Sequence, residues 1–366
     1  MLTLDTPART LTMDGARAVT LMARSKVKIA DAARRLGSET VSGLIEAGFP
    51  GHFVPRRWGG GEGTFSALVR AAELVGEGCA STAWCAALFA AHGRLAAYFP
   101  ERAQRELWEL GPETCIAAAV MPPAGRAEQV AGGWRLTGEW SRASGIDFAD
   151  WVLVASDVPG AGVHLFLLPV SDCVVVDTWN TLGMRGTGSN SVRLGQVFVP
   201  EWRSMPRSRL LDADPAAPRC HGVPYPLVAG LMFAAPVVGT ARGTLASWIE
   251  AHRYAPGAAV LPAASGALSR ASGEIHLATE LLRIAATRAD HGPVTPLAVA
   301  ENQRDAALAV ELCVTAVDRL FQAHGGRSIR DDDLVQQGWR DIRAAATHGA
   351  VQFGPAAAAY GAAVLA

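Results

Sequence analysis

A histidine closes an alanine-rich run near the end of this sequence. In "WRDIRAAATHG", residues 339–349, three alanines precede Thr347 and His348. Imidazole changes protonation most readily near neutral pH, so such a residue suits proton donation inside a cavity. Taken as continuous helix, the stretch puts Trp339, Ile342, Ala346 and Ala350 on one face. His348 then falls on the opposite face, with Asp341 two turns back on its side and methyl groups between them. Simple solvent exposure explains the pattern as well as an active-site wall does.

Short hydroxyl side chains form the second group. In "GEWSRASGIDFADW" (138–151) a predicted strand ends in Trp140, and "SRASG" leads to the next strand. Small residues at a strand end suit the close approach of an aromatic ring system, with Ser144 able to donate or accept a hydrogen bond. A serine nucleophile would need a strand–turn–helix elbow, and this context is strand–loop–strand. "GMRGTGSNS" (183–191) lacks the third glycine and the following helix of a dinucleotide fingerprint. Its Thr187, Ser189 and Asn190 either present hydrogen-bonding groups to a planar ligand or form an ordinary turn. "GGGEGT" (59–64) precedes a helix but has no phosphate-loop lysine. His92, alone on the apolar helix "LFAAHGRLAAYF", reads by default as a satisfied structural histidine.

The remaining composition narrows the class. The 366 residues are half apolar and 18% charged, which suits a compact chain of more than one structural layer. A formal charge of −1 gives no electrostatic reason to expect nucleic acid or membrane as a partner. No cationic segment leads into an apolar run at the N-terminus, so a signal peptide is not expected. "YPLVAGLMFAAPVVGTA", 17 residues with two prolines, reads as a buried helix rather than a membrane span. The six cysteines are scattered, without C-x-x-C, and read as reduced and buried in a cytoplasmic protein; no metal site is expected.

Three blocks position these residues. Residues 1–112 carry apolar positions at three- and four-residue steps and read as a helical domain. Residues 113–205 hold short β-branched and aromatic runs between Gly, Pro and Asp turns, which predicts a central antiparallel β barrel or sandwich. Residues 224–366 read as a helical bundle, with helices at about 226–254, 262–290, 294–324 and 332–365. "APGAAVLPAA" and "DHGPVTP" separate two of the helix pairs.

That α+β order resembles the acyl-CoA dehydrogenase fold across essentially the whole chain: N-terminal helical domain, central antiparallel β barrel or sandwich, C-terminal four-helix bundle. "FVPRRWGGGEG", "GEWSRASGIDFADWVLVAS", "TLGMRGTGSNSVRLGQVFVP" and "FQAHGGRSIRDDDLVQQGWRDIRAAATHG" carry the resemblance. The dehydrogenases of this fold use a glutamate base. Here one of its two places reads "RDIRAAATHGAVQFG", with His348 and Gly349, and the other reads "LMFAAPVVGTARG", with no acid. Loss of the base removes a contribution of about 10²–10⁴ in rate.

The pattern from Trp140 to Gly145 and from Arg340 to His348 is similar instead to the flavin-dependent monooxygenases of this fold. The resemblance implies the oxygenase half of a two-component system, using reduced flavin (FADH2 or FMNH2) and O2 through a C4a-hydroperoxyflavin. It implies hydroxylation or N-oxidation of a small aromatic or natural-product substrate, and a separate NAD(P)H-dependent flavin reductase as partner. By the same resemblance His348 and Ser144 are catalytic, and Trp140, Ser144, Thr187 and Ser189 line the flavin site. Arg327 reaches the flavin phosphate of a neighbouring subunit in a homotetramer, and His92 meets substrate. Arg142 stands where the pattern carries an aromatic or apolar residue. The competing expectations are an FAD-dependent dehydrogenase or oxidase with a relocated base, and a non-catalytic binding subunit.

Overall fold

The computed structural model describes residues 10–253 and 262–366. The linker expected over "APGAAVLPAA" lies mostly outside the described residues. Five helices come first: α1 (Met13–Ala33), α2 (Ser38–Glu46), α3 (Phe65–Gly76), α4 (Ala80–Ala96) and α5 (Glu101–Trp108). Thr12 and Thr64 cap α1 and α3 by accepting backbone N–H groups with their hydroxyls. Every residue of α4 is buried, which is why its sequence shows no polar face.

Eight strands follow: β1 (Ile116–Ala119), β2 (Arg126–Val130), β3 (Gly133–Ala143), β4 (Trp151–Val158), β5 (Gly162–Pro169), β6 (Val174–Val176), β7 (Asn190–Pro200) and β8 (Ser204–Pro206). They form two four-stranded sheets, ordered β1-β4-β5-β8 and β2-β3-β7-β6. The expectation of an antiparallel sandwich holds for every pair except β1–β4, which is parallel. Parallel pairing needs a long crossover, and β2 and β3 of the other sheet supply it. Between the sheets lie Leu136, Trp140, Phe166 and Val192, while Leu153, Leu165 and Leu167 face α4 and α5 with Phe99 and Trp108.

The C-terminal helices are α6 (Arg219–Gly222), α7 (Tyr225–Arg253), α8 (Pro262–His291), α9 (Pro296–His324), α10 (Leu334–Ala345) and α11 (Phe353–Leu365). Helix α7 is long and apolar enough to cross a membrane by length and composition, yet 83% of its most apolar window is buried within the molecule. It crosses α3 with backbones in contact. A Cβ on Gly239 would lie 2.0 Å from the carbonyl oxygen of Glu73, and one on Gly243 2.4 Å from that of Glu77. The helix expected over 332–365 is two helices. Helix α10 stops at Ala345, and a 3-10 turn at Gly349–Val351 precedes α11.

Candidate functional site

That break overturns the helical-wheel placement of His348. The residue lies beyond α10 in extended conformation (φ −68°, ψ 134°), and its Nδ1 accepts the Ala350 N–H at 3.2 Å. An accepting Nδ1 in a neutral imidazole leaves the proton on Nε2. The ring stacks on Phe233 of α7, with centroids 3.7 Å apart and planes at 23°. Trp84 of α4 closes the group edge-on, 5.7 Å from His348 and 5.2 Å from Phe233. Burial, then the nearby Arg142 guanidinium, pushes the His348 pKa down from 6.5 to about 4. At neutral pH the residue is a neutral hydrogen-bond donor, not the titrating acid its type suggests.

The two segments that lack the dehydrogenase glutamate meet here, since Phe233 comes from one and His348 from the other. Four carboxylates are buried among the described residues, and each is engaged elsewhere. Asp290 caps α3 at Phe65 and Ser66, Glu73 faces Arg242, and Asp305 pairs with Arg288 and Arg304. Asp341 turns away from His348 and accepts the Met184 N–H at 2.6 Å. Burial raises its pKa from 3.8 to about 7. Arg340, beside it, donates to the carbonyl of Leu182 at 2.7 Å. This Arg–Asp pair therefore clamps the 182–184 loop onto α10.

The hydroxyl groups converge. Trp84 Nε1 donates to Ser144 Oγ at 3.2 Å, and Ser144 Oγ lies 2.7 Å from Ser189 Oγ. Ser189 Oγ is 2.7 Å from Thr187 Oγ1, which donates to the carbonyl of Met184 at 2.8 Å. Ser144 follows a β-bulge in β3 that leaves Ser141 and Arg142 without partners on β7. Arg142 adopts φ +68°, and its side chain stays exposed at the edge of the site. Gly188, at φ +52°, turns the loop that delivers Thr187 and Ser189. Asn190 is used inward, accepting the N–H groups of Thr178 and Trp179.

Other expected residues fall elsewhere. Trp140 is 1% exposed between the sheets, and its Nε1 donates to the carbonyl of Ala155 at 2.7 Å. Both its face and its polar edge are thus taken by the sandwich core, and it offers no surface to a ligand. His92 is buried in α4 with Nδ1 2.7 Å from the carbonyl of Ile116, and burial holds its pKa near 4. It bonds the β1 backbone and no member of the hydroxyl chain. Arg327 is exposed in the 3-10 turn after α9, where it reaches the carbonyl of Ala251 at 3.4 Å. A single chain does not bring it to Ser144 or His348. Sequence reading missed Trp84 and Phe233, because aromatics in apolar helices read as core. All six cysteines are free; burial pushes the thiols of Cys115, Cys173 and Cys220 up to about 12.

The sequence profile described as "Acyl-CoA dehydrogenase, C-terminal domain" matches residues 231–353. HsaA of Mycobacterium tuberculosis (strain ATCC 25618 / H37Rv), the oxygenase subunit of a flavin-dependent monooxygenase, is 30% identical over 353 residues, covering 89% of this chain and 88% of that protein. The oxygenase component of the FADH(2)-dependent resorcinol hydroxylase of Rhizobium sp. (strain MTP-10005) is 31% identical over 355 residues, covering 89% and 87%. The solved structure of XiaF from Streptomyces sp., in complex with FADH2 and glycerol, superposes with a TM-score of 0.90 at 26% identity, covering 96% of this chain and 94% of that one.

Proposed function

Because the chain belongs to the oxygenase components of flavin-dependent monooxygenases, built on the acyl-CoA dehydrogenase fold, we propose that it hydroxylates a small phenolic substrate beside His348. It is an oxidoreductase that uses reduced flavin and O2, and a separate flavin reductase supplies the flavin. The residues suit such a group: short hydroxyls at a strand end, an aromatic pair and an uncharged donor surround one place, and the four buried carboxylates among the described residues are engaged elsewhere. Bound reduced flavin supplies the two electrons with which O2 gives one oxygen atom to substrate and one to water.

The observation that carries this reading is His348 Nε2–H, held uncharged against Phe233. Its backbone bond at Nδ1 fixes the tautomer and leaves the remaining hydrogen on Nε2, which has no hydrogen-bond partner among the described residues, for a ligand. Phe233 and Trp84 exclude water around it, so the donor acts in a low dielectric, where a hydrogen bond is stronger. Ser144 orients the ring edge of the flavin. The exposed Arg142 guanidinium favours a phenolate or carboxylate-bearing substrate at the mouth. His92, with its proton on Nδ1, offers Nε2 as an acceptor for a phenol hydroxyl.

A cytoplasmic homotetramer and an NAD(P)H-dependent reductase complete the reading. Exposed apolar side chains support assembly through the C-terminal helices: Leu277 and Ile284, two turns apart on α8, and Ile329 beside Arg327. The test supplies chemically reduced flavin, O2 and a panel of phenols, and measures hydroxylated product against hydrogen peroxide. Product formed without the reductase supports the assignment. Peroxide alone with every phenol, at the same rate in His348→Ala, overturns it.

A further inference from the structure

Four contacts run in series from Trp84 to the carbonyl of Met184, through Ser144, Ser189 and Thr187. The series holds four protons, one on the indole nitrogen and three on hydroxyls. The indole only donates and the carbonyl only accepts. One assignment gives every contact its proton: Trp84 donates to Ser144, Ser144 to Ser189, Ser189 to Thr187, and Thr187 to the carbonyl of Met184. Reversing any hydroxyl leaves two oxygens 2.7–2.8 Å apart with no hydrogen between them, inside a buried site. Every hydroxyl hydrogen is therefore committed within the protein, and what each oxygen keeps for a ligand is a lone pair. Ser144 is the most reachable of the three, at 7% exposed against 3% for Ser189 and 2% for Thr187.

We propose that Thr187 and Trp84 are positioning residues that make Ser144 an obligate hydrogen-bond acceptor toward flavin N5, so that the site selects the reduced over the oxidised cofactor. The proposal rests on the flavin reading above. Reduced flavin carries a hydrogen on N5, which meets the Ser144 lone pair as a donor. Oxidised flavin has a lone pair at N5, and two acceptors then face each other. The C4 carbonyl and N3–H beside N5 keep their polarity in both states, so on that edge the discrimination falls on the N5 contact. Oxidised flavin released after turnover thus leaves a site that no longer matches it.

The decisive variant is Thr187→Val, which keeps the shape and removes the last link. Ser189 then loses its acceptor and turns to donate to Ser144, whose own hydrogen is freed for the ligand. The experiment is anaerobic titration of the full chain with reduced and oxidised FMN and FAD, giving a ratio of dissociation constants, with a melting curve for each variant. The wild type binds reduced flavin at least about tenfold more tightly, the worth of one hydrogen bond made rather than missed. Thr187→Val narrows the ratio about tenfold by strengthening oxidised-flavin binding, and Thr187→Ser restores it. Ser144→Ala narrows it from the other side, weakening only the reduced form. An unchanged ratio in Thr187→Val, or equal weakening of both forms, overturns the proposal while leaving the flavin site standing. If Thr187→Val does not fold, an unchanged ratio in Ser144→Ala overturns it. A wild type that binds neither form overturns the flavin reading itself.

Discussion

His348 lies flat against Phe233, and burial lowers the pKa of its imidazole more than the nearby Arg142 guanidinium does. Nitrogen-15 NMR of labelled histidine is expected to show an uncharged Nε2–H tautomer from pH 5 to 8 and a midpoint near 4. Phe233→Ala, which readmits water, raises the midpoint further than Arg142→Gln, which removes the secondary cause. A histidine depressed in the folded state holds its full contribution to stability above the unfolded value of 6.5. That contribution is lost as pH falls from 6.5 toward 4. A wild-type midpoint at 6.5 would contradict the buried stack.

Removing the donor altogether separates oxygen activation from oxygen transfer. His348→Ala is expected to lower the hydroxylation rate about 10²-fold, the usual effect of losing one preorganised donor, and to release the difference as hydrogen peroxide. Reduced-flavin affinity changes less than product yield. Stopped-flow oxidation with parallel product and peroxide assays reads both quantities.

Asp341 makes a stability prediction with a definite sign. Its folded pKa is raised from 3.8 to about 7, so stability that is full below pH 3.8 is lost as pH climbs toward 7 and falls no further above it. Asp341→Asn keeps an acceptor for the Met184 N–H and cannot ionise. Its melting temperature is expected to exceed the wild type's by less at pH 4.5 than at pH 8.5, with the gap reaching its full size by about pH 7. Asp341→Ala leaves that N–H unpaired and loses about 1–3 kcal/mol at either pH. Calorimetry at the two pH values separates these outcomes.

Trp140 is expected to matter to the fold and not to the cofactor. Trp140→Phe removes one of two donors to the carbonyl of Ala155, the Ala124 N–H remaining at 2.9 Å, and destabilises by about 0.5–1.5 kcal/mol in urea unfolding. Flavin dissociation constants stay within twofold of the wild type. A tenfold loss of flavin affinity in a folded variant would return Trp140 to the binding site.

Arg327 acts, in the proposed tetramer, on a phosphate across the subunit boundary. Arg327→Ala is expected to weaken FMN about tenfold and leave riboflavin, which lacks the phosphate, unaffected. Equal weakening of the two would point to assembly rather than phosphate recognition, and light scattering would then show a smaller particle.

The helix–strand–helix order was legible because the hydrophobic period changes from 3.6 to 2 near Ile116 and back after Pro206. His348 stood out as a lone imidazole among alanines, yet its orientation was not legible. A helical wheel assumes an unbroken helix, and Thr347, whose hydroxyl bonds back to Ala344, lies where α10 has already ended. Ser144, Thr187 and Ser189 were legible as short hydroxyls at strand ends, but their linkage in one chain depends on β3–β7 register and a bulge. Trp84 and Phe233 were not legible at all, since burial in an apolar helix and service in a site have the same one-dimensional signature. The parallel β1–β4 pair was hidden for a similar reason: strand neighbours are chosen by three-dimensional closure.

The glycine contacts between α3 and α7 have a further consequence for how this enzyme changes over evolution. Helix α3 packs on both α4 and α7, which carry Trp84 and Phe233, and at Gly239 and Gly243 the backbones already touch. The two walls are thus braced like stones in an arch, with no slack by which the chamber could breathe wider. New substrates must be accommodated by exchanging a ring rather than moving a helix, so an engineer seeking bulkier guests should randomise position 233, keep the Trp84 indole that donates to Ser144, and leave the helical frame untouched.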